Sequence, residues 1–405
     1  MKKLITILFF FLLISQTIIP QWYQQTSGTN EDLLSVSFVD TSTGTVVGEN
    51  GTILRTMDGG TAWILQTSGT TNHLNDVFFI DLNNGTAVGD GGTILNTTNG
   101  GILWTIQTSG YSDDLNGVEF IDLNIGWVVG GNKIFKTTDR GLTWNFQNSG
   151  LPNVLYDVAF TDQNNGIVVG EVGTTLKSTN GGTNWMYHSA NVAANLKGVH
   201  FSDINIALAV GDDGSIIKTT NGGIDWILEN SGTTRPLYDL CFINESKGTA
   251  VGWLGTILRT TDGGTTWTQQ TGASLNILYG VTFVNENFGT IVGWNGVIFK
   301  TTNGGTSFVE EKSIDEIPND YSLSQNYPNP FNPSTIIKYS VPIVSQVTIK
   351  VYDIIGNEVE KLVDEEKASG IYKLTWYPEQ LPAGVYFYKL QAGNFVETKK
   401  MILLK

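Results

Sequence analysis

The sequence predicts an all-β protein, a seven-bladed β-propeller followed by a small antiparallel β-sandwich. Three observations lead to this prediction. A short phrase recurs every 40 or 41 residues, each repeat contains four strand-like segments, and the pattern changes after Phe308. A regular period in this range is typical of propellers and solenoids. The repeats show no helical patterning, which favours the propeller.

The recurring phrase is clearest from Thr260 to Trp267, Thr-Thr-Asp-Gly-Gly-Thr-Thr-Trp. A hydroxylated residue comes first, Asp or Asn follows two positions later, and glycine and an aromatic residue complete the phrase. Trp22 lies 41 residues before the first closing aromatic, without the turn in front of it. The closing aromatics of the seven copies are Trp63, Trp104, Trp144, Trp185, Trp226, Trp267 and Phe308.

Each repeat reads Leu-x-x-Val-x-Phe, Gly-x-x-Val-Gly, Gly-Thr-Ile-Leu-x-Thr and then the aromatic segment. Val and Phe two residues apart mark one face of a strand. The position between them varies, so we expect it to be unconstrained. The one missing residue of repeat three, between Gly130 and Ile134, predicts a loop there. Four antiparallel strands per unit cannot bury both faces alone, and closing a ring of units solves this.

The copies also predict how the ring closes. There are seven copies of the first three segments but eight aromatic segments, from Trp22 to Phe308. The segment at Trp22 keeps the tryptophan and the Gln-x-Ser-Gly ending, and the one at Phe308 has lost both. We therefore expect the N-terminal strand to complete the last blade, whose inner strand runs from Leu278 to Phe283.

Composition and the N-terminus bound the class of protein. Residues 1–20 combine charged Lys2 and Lys3 with an apolar run too short to span a bilayer, which predicts a secretory signal peptide. The net charge is −15 and only four arginines are present, so we expect no nucleic-acid partner. Cys241 is the only cysteine, which excludes an intrachain disulfide, and its strand-like context predicts a small buried side chain.

The boundaries follow from these patterns. We expect the propeller at residues 21–308, an acidic linker at 309–320 and the sandwich at 321–405. Prolines cluster between Tyr327 and Pro333, and alternating apolar runs separated by turn signals follow. About seven short strands in this module suit a small sandwich. The runs are Ile336 to Tyr339, Val347 to Tyr352, Tyr372 to Trp376, Val385 to Leu390 and Phe395 to Lys400.

The phrase resembles the Asp-box of bacterial neuraminidase repeats. With its flanking segments, the whole unit of residues 22–308 is more similar to the photosystem II stability and assembly factor propellers. That resemblance implies the fold, and it says little about activity because one fold hosts many functions. Members of that family are linked to a basic, arginine-bearing surface, which this acidic chain lacks.

We interpret the box residues as structural. Their side chains can accept backbone N–H groups of their own turn, and the glycines permit positive φ. A cation site is the alternative, but asparagine in four copies removes the charge that a cation needs. His73, His188 and His200 lack ligand spacing, so we expect no metal and no cofactor. The seven box residues are Asp58, Asn99, Asp139, Asn180, Asn221, Asp262 and Asn303.

The residues do not support a sialidase. Such an enzyme needs an arginine cluster for the substrate carboxylate, but Arg55 and Arg259 share one repeat column, Arg140 lies in a box turn and Arg235 lies in a loop on the opposite face. We therefore expect no catalytic residues. A carbohydrate-active hydrolase with a carboxylate pair assembled across blades remains the alternative, and a purely structural surface protein is a third.

A ligand site is expected on the face opposite the boxes, where blades six and seven depart from the repeat. Exposed aromatic side chains beside polar groups suit a sugar ring or a peptide. Packing of the funnel mouth by the same rings is the alternative interpretation. The ligand, glycan or protein, is open at this stage. The candidate residues are Arg235, Tyr238, Trp253, Tyr279 and Trp294.

The C-terminal module carries a second resemblance. Three segments, from Asn326 to Tyr339, Val351 to Val359 and Gly384 to Leu390, resemble the type A C-terminal sorting domain of the type IX secretion system. The resemblance extends to the closing residues 399–405. It implies export across the outer membrane, with the secretion machinery as partner through residues 321–405, and either attachment to the outer surface or release. A ligand-binding sandwich is the alternative. We expect a monomer.

Overall fold

The computed structural model describes residues 15–19, 22–108, 110–270, 276–305, 308–313, 318–332, 334–376, 378 and 381–404. It divides the chain into two compact units. One unit comprises Trp22–Gly305, and the other comprises residues 1–21 with Thr306–Lys405. The described residues form strands and short 3-10 turns, and none of them builds a helix that could cross a membrane.

The first unit is a ring of seven four-stranded antiparallel sheets, which confirms the predicted propeller. In each blade the Leu-x-x-Val-x-Phe strand is innermost, and it neighbours the innermost strands of the adjacent blades. Branched and aromatic residues at alternating positions form these strands because they pack well on a pleated surface. The inner strands are Leu33–Phe38, Leu74–Phe79, Gly117–Phe120, Leu155–Phe160, Leu196–Phe201, Leu237–Phe242 and Leu278–Phe283.

The second strand of each blade is fully buried, because it is covered by neighbouring blades on both faces. Its first residue in blade one is Gly44, where a Cβ atom would lie 2.4 Å from the Phe38 ring. Glycine is therefore required for the ring to pack there. The second strands are Gly44–Gly48, Gly85–Gly89, Gly126–Gly130, Gly166–Gly170, Ala207–Gly211, Gly248–Gly252 and Gly289–Gly293.

The third and fourth strands complete each blade. The missing residue of repeat three falls in the turn between Gly130 and Lys133, as predicted. The third strands are Ile53–Thr56, Thr93–Thr97, Lys133–Thr137, Thr174–Ser178, Ile216–Thr219, Ile257–Thr260 and Val297–Thr301. The outer strands of blades one to six are Ile64–Gln66, Thr105–Thr108, Asn145–Asn148, Met186–Ser189, Ile227–Glu229 and Thr268–Gln269.

The N-terminal strand seals the ring, as the copy number predicts. Tyr23–Gln25 pairs antiparallel with Val297–Thr301 and becomes the outer strand of blade seven. Trp22 packs edge-on against Phe283 with ring centroids 5.8 Å apart. The same contact joins Trp63 to Phe38 at 6.0 Å within blade one. The seventh blade is therefore built from both ends of the repeat region.

The second unit is a sandwich of two antiparallel sheets around one hydrophobic core. Ile337, Tyr339, Leu374 and Trp376 from one sheet share that core with Tyr388 from the other. The five-stranded sheet has the order Ser15–Ile19, Phe308–Ser313, Gly370–Trp376, Thr335–Val341 and Ser322–Leu323. The four-stranded sheet has the order Glu358–Lys367, Ser345–Tyr352, Gly384–Ala392 and Phe395–Leu403.

Two segments differ from the sequence expectation. The expected linker at 309–320 contains most of the strand Phe308–Ser313, which pairs with Gly370–Trp376. The strand Glu358–Lys367 was not predicted, because register shifts opposite Ser345–Tyr352 break its two-residue period and its exposed positions are charged. The predicted signal peptide lies outside the described residues, apart from Ser15–Ile19.

Candidate functional site

The predicted site lies at one end of the blades, where two sets of loops meet. The turn between the second and third strands bonds to the loop that leads into the inner strand of the same blade. In blade six the backbone N–H of Trp253 donates to the Pro236 carbonyl at 2.9 Å. In blade seven the backbone N–H of Trp294 donates to the Ile277 carbonyl at 2.9 Å. Strands run antiparallel, so the box turns lie at the opposite end. We call the loop-bearing end the mouth.

Tyr238 and Tyr279 meet across the boundary between blades six and seven. Their ring centroids are 5.6 Å apart and the rings are tilted by 54°. The Tyr279 hydroxyl donates to Asp32 Oδ2 at 3.4 Å, and Asp32 Oδ1 accepts the Asn295 N–H at 2.8 Å. Asp32 therefore connects Tyr279 to the turn that carries Trp294. Burial, with the charge of Asp32, raises the pKa of Tyr279 to about 12, so this hydroxyl stays protonated.

Trp253 and Trp294 are the first residues of the turns Trp253–Gly255 and Trp294–Gly296, and their exposed fractions are 40% and 49%. The turn of Trp253 lies against the strand of Tyr279. Within the part of the chain that the structure describes, neither indole pairs with another aromatic ring. Each indole therefore leaves about half of its side chain open to solvent.

Leu254 occupies a strained position in the same turn. Its φ is +52°, which costs a residue with a Cβ atom about 1–2 kcal/mol. The equivalent residues in three other blades are Asn50, Asp213 and Asn295, which tolerate this region better. In blade four the position holds Val172, a second apolar residue with positive φ. Leu254 is 39% exposed, so an apolar side chain next to Trp253 is partly open to solvent.

Arg235 lies in the loop before Tyr238 and is half-buried. Its backbone N–H donates to Thr233 Oγ1 at 3.1 Å. The structure thus brings Tyr238, Tyr279 and the Trp253 turn together and links Trp294 to them through Asp32. A small open cleft elsewhere, between blades two and three, is lined by none of the five candidate residues.

The box residues are engaged within their own turns. Asp58 Oδ1 accepts the Thr56 hydroxyl at 2.9 Å and the Ala62 N–H at 3.0 Å. Asn99, an asparagine copy, makes the same two contacts, with Thr97 at 3.0 Å and with the N–H of Leu103 at 3.0 Å. The hydrogen bonds of a charged and a neutral copy are equivalent. No cluster of acidic, histidine or cysteine residues suited to a metal occurs among the described residues.

The two arginines of the third strands connect neighbouring blades. Arg55 is 7% exposed, donates to Thr45 Oγ1 at 2.8 Å and to the Leu82 carbonyl at 2.7 Å, and lies 4.9 Å from the Phe79 ring centroid. Arg259 is 4% exposed and lies at the same distance from Phe283. These guanidinium groups are buried in inter-blade packing, where they are not available to a substrate carboxylate.

A ring of carboxylates around the central channel was missed at the sequence level. Asp76 Oδ2 accepts the N–H of Val118 in the next blade at 2.8 Å, and its Oδ1 accepts the Ser35 hydroxyl at 2.6 Å. Asp157 and Asp239 make the same backbone contact to their next blades. These bonds satisfy N–H groups on the free edge of the innermost strands. We call Asp76, Asp157 and Asp239 the channel carboxylates.

Glycine alternates with aspartate in this column, because the carboxylate needs the space that a side chain would fill. A Cβ atom on Gly117 would lie 3.0 Å from Asp157 Oδ1. The alternation is visible once the repeats are aligned, and it is the signal that could have revealed the ring. In blade order the column reads Ser35, Asp76, Gly117, Asp157, Gly198, Asp239 and Gly280.

The channel carboxylates have perturbed acidities. Burial raises the pKa of Asp239 to about 7, and the charge of Asp76 adds to this effect. Burial and the charges of Asp76 and Asp239 raise the pKa of Asp157 well above its usual range. Glu119 lies on the inner strand of blade three, and burial raises its pKa to about 8. The carboxylates thus form an electrostatically coupled set.

The column between Val and Phe, expected to be unconstrained, also connects blades. Ser37 Oγ accepts the Phe79 N–H at 3.0 Å, and Glu119 Oε2 accepts the Phe160 N–H at 2.5 Å. Cys241 belongs to the same column and is half-buried, and burial raises the pKa of its thiol to about 12. Chemically different side chains in this column accept a backbone N–H group of the next blade. The variation of the column therefore does not mean that the position is unconstrained.

The fold and the site define a class: an Asp-box seven-bladed β-propeller with an aromatic mouth, followed by a β-sandwich. Residues 142–230 and 225–308 match the family of photosynthesis system II assembly factor YCF48, and residues 325–404 match the secretion system C-terminal sorting domain. The repeats from residue 142 to residue 308 thus resemble those of the assembly-factor family. Residues 325–404 thus form a sorting domain of the type IX kind, which implies export and contact with the secretion machinery.

Solved structures agree with this assignment of fold. "YCF48 bound to D1 peptide" has a TM-score of 0.61 and 22% identity, over 72% of this chain and 99% of that one. YCF48 from Cyanidioschyzon merolae has a TM-score of 0.59 and 19% identity, over 69% of this chain and 98% of that one. PorZ, a surface component of the Porphyromonas gingivalis type-IX secretion system, has a TM-score of 0.57 and 11% identity, over 94% of this chain and 60% of that one. No curated protein matches the chain.

Proposed function

We propose that this protein is a non-catalytic binding module, secreted or displayed on the outer cell surface, which holds a protein ligand at the mouth of blades six and seven. The observation that carries the proposal is the pair of half-exposed indoles, Trp253 and Trp294, beside the contacting rings of Tyr238 and Tyr279. Tryptophan and tyrosine dominate the binding energy of protein interfaces. Glycan binding at the same rings is the competing outcome.

The hydrogen bonds of the channel support the absence of catalysis. Both oxygens of Asp157 accept backbone N–H groups, from Val158 at 2.8 Å and from Val199 at 2.8 Å. Asp239 is held in the same way. A general acid or base must reach the atom that it protonates or deprotonates, and these oxygens face the protein backbone. If the protein were a hydrolase, it would hydrolyse aryl glycosides, and Asp157→Asn would abolish this activity. We expect no hydrolysis.

The comparisons support a protein ligand. One propeller of similar fold was solved with a bound peptide, and another is a surface component of a secretion system. Both lie below 25% identity, so they contribute the fold and a precedent for protein contacts. We propose that the same kind of ring here presents a contact surface outside the cell.

The test compares the full-length Trp253→Ala, Trp294→Ala double variant with a Phe146→Ala, Tyr187→Ala control. The control rings are each 54% exposed on outer strands, away from the mouth. Partners captured from envelope and culture-medium fractions, and hits on glycan arrays, are measured for both. We expect the mouth variant alone to lose its protein partner. Equal capture by both variants contradicts the proposal and favours a purely structural surface protein.

Export is tested separately. We propose that residues 1–20 direct the chain to the periplasm and that residues 321–405 carry it across the outer membrane. A chain that ends at residue 317 should accumulate in the periplasm, as measured by protease shaving of whole cells and by fractionation. Normal surface display of the truncated chain contradicts the sorting role.

A further inference from the structure

We propose that the mouth recognises a positively charged protein segment, one that presents lysine or arginine side chains to the aromatic surface of blades six and seven. This inference rests on the proposed function and names the chemistry of the partner. The binding surface consists of Tyr238, Trp253, Leu254, Tyr279 and Trp294, which we call the aromatic surface.

The charge of the mouth selects the partner. Nine carboxylate side chains lie in the mouth loops, and in the described part of the chain none of them forms an ion pair within 4 Å. Among the described residues of this end, the basic side chains that oppose them are Lys133, Lys197 and Arg235. A concave surface lined by one sign of charge attracts the opposite sign and repels its own. The nine are Glu31, Asp32, Glu49, Asp90, Asp113, Asp114, Glu171, Asp212 and Asp213.

Two of these carboxylates lie beside the aromatic surface. Asp32 accepts the hydroxyl of Tyr279, and the charge of Asp212 reaches Tyr238. An ammonium or guanidinium group that stacks on a ring while a carboxylate neutralises it gains both a cation–π contact and a charge-assisted hydrogen bond. The aromatic surface therefore provides the two components that a lysine or arginine side chain requires.

The protein already uses such a contact between blades four and five. Lys197 places its Nζ atom 3.7 Å from the centroid of the Tyr156 ring. Tyr156, Tyr238 and Tyr279 occupy the same repeat position at the start of their inner strands. Among the described residues, no lysine or arginine covers Tyr238 or Tyr279. Lys197 and Tyr279 share one repeat position, so the place that Lys197 takes over Tyr156 is filled over Tyr238 by the ring of Tyr279. A cation from a partner would stack instead on the Tyr279 ring or on the half-exposed indoles of Trp253 and Trp294.

The experiment uses the full-length protein and two labelled octapeptides, Lys-Gly and Glu-Gly repeats, in fluorescence anisotropy at low and high salt. We expect the Lys-Gly peptide to bind, and we expect its affinity to fall as the salt concentration rises, because the attraction is between charges. Loss of two cation–π contacts in the Trp253→Ala, Trp294→Ala variant should weaken binding about tenfold. Arg235→Gln should tighten it, because one repelling charge is removed.

A matched control removes two charges from the opposite face. Asp58→Asn with Asp262→Asn places in two boxes the residue that four copies already carry, and binding should be unchanged. Equal binding of both peptides, or equal weakening in this control, overturns the inference, since the interaction would then be non-specific. A protein partner that depends on the tryptophans but has no basic segment overturns this inference and leaves the proposed function standing.

Discussion

The indole of Trp22 donates a 2.9 Å hydrogen bond to the side-chain oxygen of Gln270, 248 residues further along the chain. The amide group of Gln270 also donates to the Gly305 carbonyl at 2.9 Å. Gln25 repeats this arrangement with Trp63, at 3.2 Å. A glutamine on the outer strand of one blade thus holds the box tryptophan of the next, and at Trp22 this contact joins the ends of the propeller.

Trp22 precedes the strand that closes the ring. Its substitution should therefore destabilise the protein more than substitution of the equivalent tryptophans. Trp22→Ala should lower the free energy of unfolding by about 3–5 kcal/mol, the usual range for a buried aromatic side chain, because it removes the Phe283 contact and the Gln270 bond together. Trp104→Ala is the control, since Trp104 is also buried, makes the same contacts with Phe79 at 5.8 Å and with Gln66 at 3.2 Å, and lies in a blade that is continuous in sequence. Urea unfolding of both variants measures the difference. An equal loss in both contradicts a special role for the closing strand.

The channel carboxylates predict an unusual pH dependence. A raised pKa in the folded state means that the folded protein binds the proton more tightly, so stability falls as pH rises from about 4 to about 7, the folded pKa of Asp239. Asp239→Asn removes that group and should flatten this fall, as measured by urea unfolding at several pH values between 4 and 8.

Asp139 provides the contrasting control. Hydrogen bonds from the Thr143 hydroxyl and backbone lower the pKa of Asp139, so its stabilising effect is present above its unfolded pKa and is lost only in acid. Asp139→Asn should leave the slope between pH 5 and 8 unchanged. If the slope is the same in wild type and Asp239→Asn, the channel carboxylates are not protonated in this range.

The box residues predict a difference between two substitutions at one position. Asp262→Asn should be nearly neutral, because its amide oxygen can accept the Thr260 hydroxyl and the Thr266 N–H, and its amide N–H can donate to the Thr266 hydroxyl oxygen, which now donates to Asp262 Oδ2. Asp262→Ala should cost about 1–2 kcal/mol, since all three donors lose their partner. Thermal unfolding with calcium and with a chelator completes the test. A calcium-dependent melting temperature that Asp262→Asn abolishes would support the cation alternative.

The sequence predicted the fold well because contacts inside a blade repeat with the chain. The 41-residue period located the strands, the turn after Gly130 and the closing position of Trp22. It did not predict the channel carboxylates or the role of Glu119, because these side chains bond to residues about 41 positions away, in the next blade. A repeat read one copy at a time shows which positions vary, but it does not show that the copies contact one another.

The geometry of the proposed site is visible in the sequence only in part, for the same reason. Trp253 and Trp294 stand out from their column, and this departure from the repeat is what places the proposed site at their turns. The connection through Asp32 was not visible, since Asp32 belongs to blade one and reaches blade seven only after the ring closes. The strain at Leu254 also required the backbone, because its φ of +52° is set by the turn and not by the residue.

Leu254 gives a final prediction, in which stability and binding change in opposite directions. Leu254→Asn should raise the free energy of unfolding by up to about 1 kcal/mol, because asparagine tolerates positive φ. It should also weaken ligand capture, because it removes an exposed apolar side chain next to Trp253. Asn295→Leu is the reciprocal variant in blade seven and should be destabilised by a similar amount. Urea unfolding and anisotropy with the Lys-Gly peptide measure the two effects, and a Leu254→Asn variant with lower stability would show that the leucine packs usefully and is not kept for contact with a ligand.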